Sequence, residues 1–305
     1  MHIHTIDNMH LGRQHVIATF LLTGTEPALV DPGPASTLPA LEAGLAMHGH
    51  TLGDIRHILL THIHLDHAAA TGAILARYPN IRVYVHERGA PHLIDPKRLL
   101  NSARQLYGAL MATLWGDILP VPPQQVAIVP HGGAIDLGAR HISAYDAPGH
   151  AKHHLVYFEA ASGAAFVGDN TGVRLPSFDY VRPATPPPDI DLEQWQKTLD
   201  LIANLNPQTL YLTHFGAYHD AQRHIAEYRE RLLRWSEQVR QGLASGADEA
   251  TQIAQLRDLA ERELSTMSAS ERDLHQQASP GEQSWAGLAR YWRKHGDTLT
   301  SGRCR

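Results

Sequence analysis

Seven consecutive residues, Thr61-His62-Ile63-His64-Leu65-Asp66-His67, carry three imidazoles and a carboxylate. Imidazole together with carboxylate suits zinc and its neighbours better than calcium or magnesium. His62 and His64, two apart, can point the same way from an extended backbone. Asp66 and His67 follow after a turn, so they can approach from another side and serve a second metal. A chain with 22 His among 305 residues shows some clusters by chance, so density alone does not make a site. Three later residues decide the matter. His150 follows a Pro148-Gly149 turn, Asp169 follows Phe166-Val167-Gly168, and His214 follows Leu210-Tyr211-Leu212-Thr213. Each is a single ligand type delivered at the end of an apolar run, in the manner of the first cluster.

The elements that must position these groups are legible around them. Residues 55–60 form an apolar, β-leaning run that reads as a buried strand, and residues 68–75 have a helix former's composition. The ligand cluster therefore sits where a strand ends and a helix begins, where α/β proteins tend to place their chemistry. Further strands are expected at 16–22, 28–30, 81–85, 126–129, 141–145, 155–158, 165–167 and 209–213, with helices at 36–48 and 191–205. The strands fall into two series, as expected for two sheets packed face to face. Asp31 closes the 28–30 run before Pro32-Gly33-Pro34 and has two readings, a turn former or an acceptor for the second N–H of a ligand imidazole.

Two segments suggest substrate contacts. In 86–125, Leu99, Leu106, Leu110, Met111 and Leu114 recur at helical spacing, which makes one face of a helix apolar. Such a stripe packs on the core, or forms a lid giving the pocket an apolar wall, with Leu110 as the pocket residue. The Pro-rich stretch 174–191, holding Phe178, Asp179 and Tyr180, follows a ligand directly, as substrate-contacting loops often do. Beyond Tyr218, apolar residues at helical spacing (Ile225, Tyr228, Leu232, Trp235, Val239) and breaks at 242–246 and Pro280-Gly281 indicate three or four helices. Their charged faces read as solvated.

The net charge of −5 gives no general reason to expect nucleic acid or an anionic membrane as partner. The lone cysteine, Cys304, leaves no intrachain disulfide and no thiolate for the cluster. The N-terminus lacks the basic-then-apolar order of a signal peptide, and no apolar run approaches the ~20 residues of a spanning helix. A cytoplasmic protein with a small-molecule substrate is the expectation; a homodimer is compatible with it.

The order His62-x-His64-x-Asp66-His67, then His150, Asp169 and His214, resembles the metallo-β-lactamase-fold superfamily of metallohydrolases across residues 1–219. The resemblance implies an α/β fold, an αββα sandwich of two mixed β-sheets flanked by helices. The expected organisation is a catalytic domain at 1–219, with 86–125 as a helical insertion, and a helical C-terminal appendage at 220–305. It implies two divalent metals, zinc ahead of manganese or iron. His62, His64 and His150 would hold the first, Asp66, His67 and His214 the second, with Asp169 bridging. The resemblance further implies that a water or hydroxide held between such metals would be the nucleophile, with Asp66 able to shuttle a proton to the leaving group.

Departures from family patterns narrow the chemistry. His64 stands where flavo-diiron members carry Glu, and Asp169 where cysteine-containing β-lactamases carry Cys. Gly172 stands where many acyl-homoserine lactonases carry Tyr. The expected activity is hydrolysis of a small carbonyl ester, either a lactone or a thioester such as those of hydroxyacylglutathione. Lys152, Arg223, Arg229 and Arg231 are the candidate cations, and Tyr180 joins Lys152 and Leu110 as a candidate pocket residue. The competing reading is a metal-binding or interaction protein of the same fold without turnover.

Overall fold

The computed structural model describes residues 2–176 and 178–300, so Cys304 lies outside the described residues. The strands are β1 Ile3–Asp7, β2 Ala18–Leu22, β3 Ala28–Val30, β4 His57–Leu59, β5 Arg82–Val85, β6 Val126–Ile128, β7 Gly133–Asp136, β8 His141–Asp146, β9 Leu155–Glu159, β10 Ala164–Phe166, β11 Thr209–Leu212 and β12 Gly216–Tyr218. The helices are α1 Leu38–Met47, α2 Leu65–Ala68, α3 Ala70–Arg77, α4 Ala90–Ile94, α5 Lys97–Tyr107, α6 Met111–Trp115, α7 Leu192–Asn204, α8 Ala221–Ser245, α9 Glu249–Glu263, α10 Ala269–Ala278 and α11 Gly281–Thr300. The edge strands β1, β7 and β12 lie outside the runs that hydropathy marks.

Two six-stranded mixed sheets face each other, in the orders β1-β2-β3-β4-β5-β6 and β12-β11-β10-β9-β8-β7. Alternate strand residues point to opposite faces, and here both faces are apolar. Phe20, Leu22, Val30 and Leu59 of the first sheet pack between the sheets with Leu155, Tyr157, Ala164 and Phe166 of the second. Their neighbours Leu21, Leu29 and Ile58 turn outward onto α1 and α3. On the other side, Val156, Ala165, Leu210 and Leu212 turn outward onto α7 and α8. The result is an αββα sandwich, the arrangement the resemblance implies, carrying C-terminal helices.

Topology then sets the site. β3 pairs parallel with β4, and β10 parallel with β11. Parallel neighbours end on the same edge, so the residues after β3, β4, β10 and β11 gather at one rim of the sandwich.

The expected apolar stripe in 86–125 is not one helix. Gly108, with φ +52, separates α5 from α6, so the 106–110–114 spacing crosses a break and loses its common face. Leu106 and Leu110 are 48% and 59% exposed, while Leu99 and Leu114 pack beside Leu65 and Trp115.

The C-terminal helices have well-defined ends. Asp248 caps α9 by accepting from Thr251 N–H at 3.0 Å, and Ser268 with Glu271 forms a capping box on α10. Tyr228, Leu232 and Trp235 of α8 are fully buried, in one apolar cluster with Trp195, Leu199 and Leu210. Among the described residues no helix is long and apolar enough to cross a membrane. Removing α8 to α11 exposes the outer face of the second sheet and α7. A chain cut after Tyr218 is therefore expected to lose cooperative thermal unfolding, which calorimetry on the truncated and full chains checks.

Candidate metal centre

Five strand ends feed the rim. Asp31 follows β3, His62, His64, Asp66 and His67 follow β4, and His150 follows β8. Asp169 and His214 follow β10 and β11. Two groups of ligand atoms form there, each within 4.8 Å of one another: His62, His64, His150 and Asp169, and then Asp66, His67 and His214.

In the first group His62 Nε2 and His150 Nε2 each lie 3.0 Å from His64 Nδ1, and His150 Nε2 lies 3.3 Å from Asp169 Oδ2. These are near the edge lengths of a tetrahedron whose centre is about 2 Å from each corner, the distance imidazole and carboxylate keep from zinc. In the second group His67 Nε2 and His214 Nε2 lie 3.2 and 3.6 Å from Asp169 Oδ1. Asp66 Oδ2 is 3.7 Å from His67 Nε2 and 3.3 Å from His214 Nε2. Asp169 thus turns one oxygen to each group. Two of these atoms, His67 Nε2 and Asp169 Oδ1, are buried without a hydrogen-bond partner. Such orphans are costly unless something fills the gap, and a cation fits the donor set.

The opposite ring nitrogens are held. His67 Nδ1 lies 2.8 Å from Asp31 Oδ2, and His150 Nδ1 lies 3.0 Å from the Ala184 carbonyl. His214 Nδ1 lies 2.6 Å from the Val16 carbonyl. An N–H donated on one side leaves the other nitrogen's lone pair facing the centre. Asp31 is fully buried and also accepts from Thr61 N–H at 2.8 Å, Thr61 Oγ1 at 2.6 Å and Thr213 Oγ1 at 2.9 Å.

The two groups differ electrostatically. Burial holds His62 well below the ordinary imidazole value, His67 and His64 adding to the effect. His64 is pulled down to about 4 by burial and His150. These rings stay neutral, with lone pairs free. Burial also opposes charge on His67, but Asp169, Asp66 and Asp31 outweigh it and raise its pKa well above the usual value. His214 is raised against its own burial by Asp169 and Asp66. Both carboxylates stay ionised: burial pushes Asp66 and Asp169 up, and His67 and His214 more than reverse it. This half of the site is built to hold positive charge.

The centre floors a cleft of about 450 Å³, where His64, Asp66 and Asp169 form part of the lining. One wall is α5, with Leu99, Ala103, Leu106 and Tyr107; the other is residues 184–188 and 278–284. At Gly287 a side chain would meet the Thr185 carbonyl at 2.0 Å, so glycine lets α11 press on that wall.

Three expected pocket residues do not line this cleft. Leu110 lies beyond the Gly108 break. Tyr180 is buried, donating its hydroxyl to Glu263 at 2.8 Å and packing with Leu264 and Met267. Lys152 pairs with Asp189 at 3.0 Å. Gly172 faces inward, where a Cβ would sit 2.3 Å from the Arg182 carbonyl and 2.6 Å from Tyr228, so a tyrosine cannot be placed there.

Sequence reasoning missed Thr61 and Thr213, although the repeated Thr-His at two strand ends marks both. It also missed His154, whose ring stacks on His62 at 4.7 Å, and the cleft-lining Gln283 and Ser284, which lie far away in the chain.

The metallo-beta-lactamase superfamily model matches residues 12–214. Thioesterase pkgB of Emericella nidulans is 27% identical over 211 residues, 69% of this chain and 49% of that protein. Hydroxyacylglutathione hydrolase of Thermosynechococcus vestitus is 31% identical over 147 residues, 48% of this chain and 44% of that protein. The chain thus spans less than half the length of these two curated relatives. The crystal structure of a metallo-beta-lactamase family protein from Thermus thermophilus superposes with a TM-score of 0.71 at 21% identity, over 96% of this chain and 94% of that one. That likeness concerns the fold.

Asp31→Asn keeps the side chain's size but removes the charge that holds His67. Metal affinity is expected to fall roughly 10- to 100-fold with the fold retained. Competition with a chelator, beside circular dichroism, measures both; an unchanged titration would show that Asp31 does not act on metal binding through His67.

Proposed function

This chain belongs to the metallo-beta-lactamase superfamily, and we propose that it is a dinuclear metal-dependent hydrolase of a small carbonyl ester, a thioester ahead of a lactone. The observation that carries this reading is the pair of ligand groups sharing Asp169 on the floor of an open cleft. His62, His64 and His150 would hold the first metal and Asp66, His67 and His214 the second, with Asp169 turning one carboxylate oxygen toward each set. Zinc suits these ligands best, with manganese and iron compatible. The thioesterase and hydroxyacylglutathione hydrolase among its relatives support a thioester over a lactone.

A divalent pair supplies Lewis acidity toward a carbonyl oxygen and acidifies a water to a pKa of roughly 7. The protein's own groups do the rest. Asp31, Ala184 and Val16 hold the imidazoles in the orientation and tautomer that face the centre. Asp66 is the ionised carboxylate on the cleft surface, its side chain 24% exposed, so it can take a proton from the attacking water and deliver it to the leaving group. The walls confine the scissile bond above these groups. No Ser or Cys nucleophile is required by this arrangement.

The test combines elemental analysis with a panel of acyl thioesters, lactones and a β-lactam. Two metals per chain are expected, with thioester turnover abolished by a chelator and restored by zinc or manganese. His150→Ala is expected to lower metal content and turnover together while the protein stays folded, because His150 sits in a loop. A metal-loaded protein that opens lactones but no thioester would shift the substrate. One that cleaves no carbonyl ester would overturn the proposal.

A further inference from the structure

The cleft above the metal centre contains an unusual charge distribution. Asp66 and Asp169 on its floor are its only acids, and no Lys or Arg lines it among the described residues. Of the cations around it, Arg98 and Arg104 stand exposed on α5 outside the lining, and Arg182 lies behind the far wall, donating to the Ser279 carbonyl at 3.0 Å and to Gln276 at 3.1 Å. Lys152 pairs with Asp189 at 3.0 Å, and Arg229 with Asp200 at 2.6 Å. Arg223 is 2.8 Å from Asp220 and also bonds Asp179. Arg231 donates to the Val181 carbonyl at 2.9 Å and faces Glu263. Arg290, behind the wall, donates to the Pro188 carbonyl at 3.3 Å.

What lines the walls instead is apolar or neutral. Leu99, Ala103 and Leu106 of α5 face Pro186, Pro187 and Pro188 and the α10–α11 junction at Ala278 and Pro280. The polar contributions are hydroxyls and amides: Ser102, Tyr107, Gln283 and Ser284. Gln283 lies beside the Tyr107 hydroxyl, and burial with the nearby Asp66 raises the phenol's pKa, so it remains a neutral donor. At about 450 Å³ the space suits a ligand of drug size, for which such a mixture of apolar wall and few polar groups is usual.

A carboxylate held against these walls, away from the metals proposed for the floor, loses its water and meets no Lys or Arg among the lining residues, which is expensive. Glutathione carries two carboxylates, so a glutathione thioester places at least one of them against these walls or leaves the cleft unfilled. A neutral acyl chain loses nothing and gains burial with each carbon.

We propose that the cleft selects an uncharged substrate, an acyl thioester whose acyl chain lies along the α5 and Pro186–Pro188 walls and whose thiol portion is neutral, and that it discriminates against glutathione conjugates. This inference rests on the thioester reading above. In the reaction, water adds to the carbonyl carbon and the C–S bond breaks; one of the water's protons leaves on the thiol and the other passes to solvent as the acid product ionises to a carboxylate. The α10–α11 junction is then part of the substrate site, and the C-terminal helices help set specificity.

Binding and turnover are measured separately on the metal-loaded full chain. Calorimetry compares two non-hydrolysable thioethers, S-octyl-N-acetylcysteamine and S-octylglutathione. The neutral compound is expected to bind at least roughly tenfold tighter, from the unpaired carboxylates of the other. Shortening its alkyl chain should weaken binding about fourfold per methylene removed. Leu106→Arg, at an exposed position where folding is readily checked by melting temperature, should weaken the neutral compound and narrow the gap. Equal or tighter binding of S-octylglutathione, no dependence on chain length, or no binding of either compound would overturn the inference. Turnover of octanoyl-N-acetylcysteamine and S-lactoylglutathione tests the reaction itself. Tight neutral binding with no turnover of any thioester would leave the cleft's preference standing and remove the thioester reading, whereas faster turnover of the glutathione ester would do the reverse.

Discussion

The structure depends on one buried carboxylate. Asp31 is fully enclosed, and taking an ionised carboxylate out of water costs several kcal/mol unless its oxygens are satisfied. Here they are satisfied from three directions: Thr61 after β4, Thr213 after β11 and His67 on α2. Those partners come from both sheets, so the bonds that stabilise Asp31 also set the two sheets' strand ends against each other. The backbone accommodates this with φ +50 at Asp31, a left-handed conformation that Asp tolerates better than most residues. A shift of either sheet would strand a charge in the interior. Positional accuracy at the centre follows from that penalty.

The same logic explains the division within the site. Three imidazoles are buried close together, where none can carry charge, so all three offer lone pairs. The other two rings stand among carboxylates and attract positive charge. An arrangement with His67 Nε2 and Asp169 Oδ1 buried and unpaired is poorly satisfied by protein atoms alone, and well satisfied by cations. The geometry and the charge distribution therefore ask for the same occupant.

The cleft is composite. Its floor comes from strand ends, its near wall from α5, and its far wall from a proline-rich loop held by α11. The apolar cluster that joins α7 to α8 keeps the C-terminal helices in place, so packing far from the metal centre determines the shape of the space above it. Hydrophobic burial thus shapes the cleft through the position of a helix junction.

The cluster of ligand-type residues was legible in the sequence because its signal is local. His62, His64, Asp66 and His67 declare themselves by type and spacing, and His150, Asp169 and His214 each follow an apolar strand that brings them to the same rim. The sandwich was legible for a similar reason, since strands with two buried faces read as apolar runs; the edge strands β1, β7 and β12, less buried, did not. Leu110, Tyr180 and Lys152 were misplaced because a pocket is made by surfaces that meet only after folding. A single glycine at 108 turned an apparent stripe into two short helices, and Glu263, some eighty residues away, claimed the Tyr180 hydroxyl. Sequence by itself determined which groups can bind metal, because that chemistry belongs to side chains. Only the tertiary structure decided which walls stand over them and which cations are already paired, because those depend on surfaces and partners that meet only after folding.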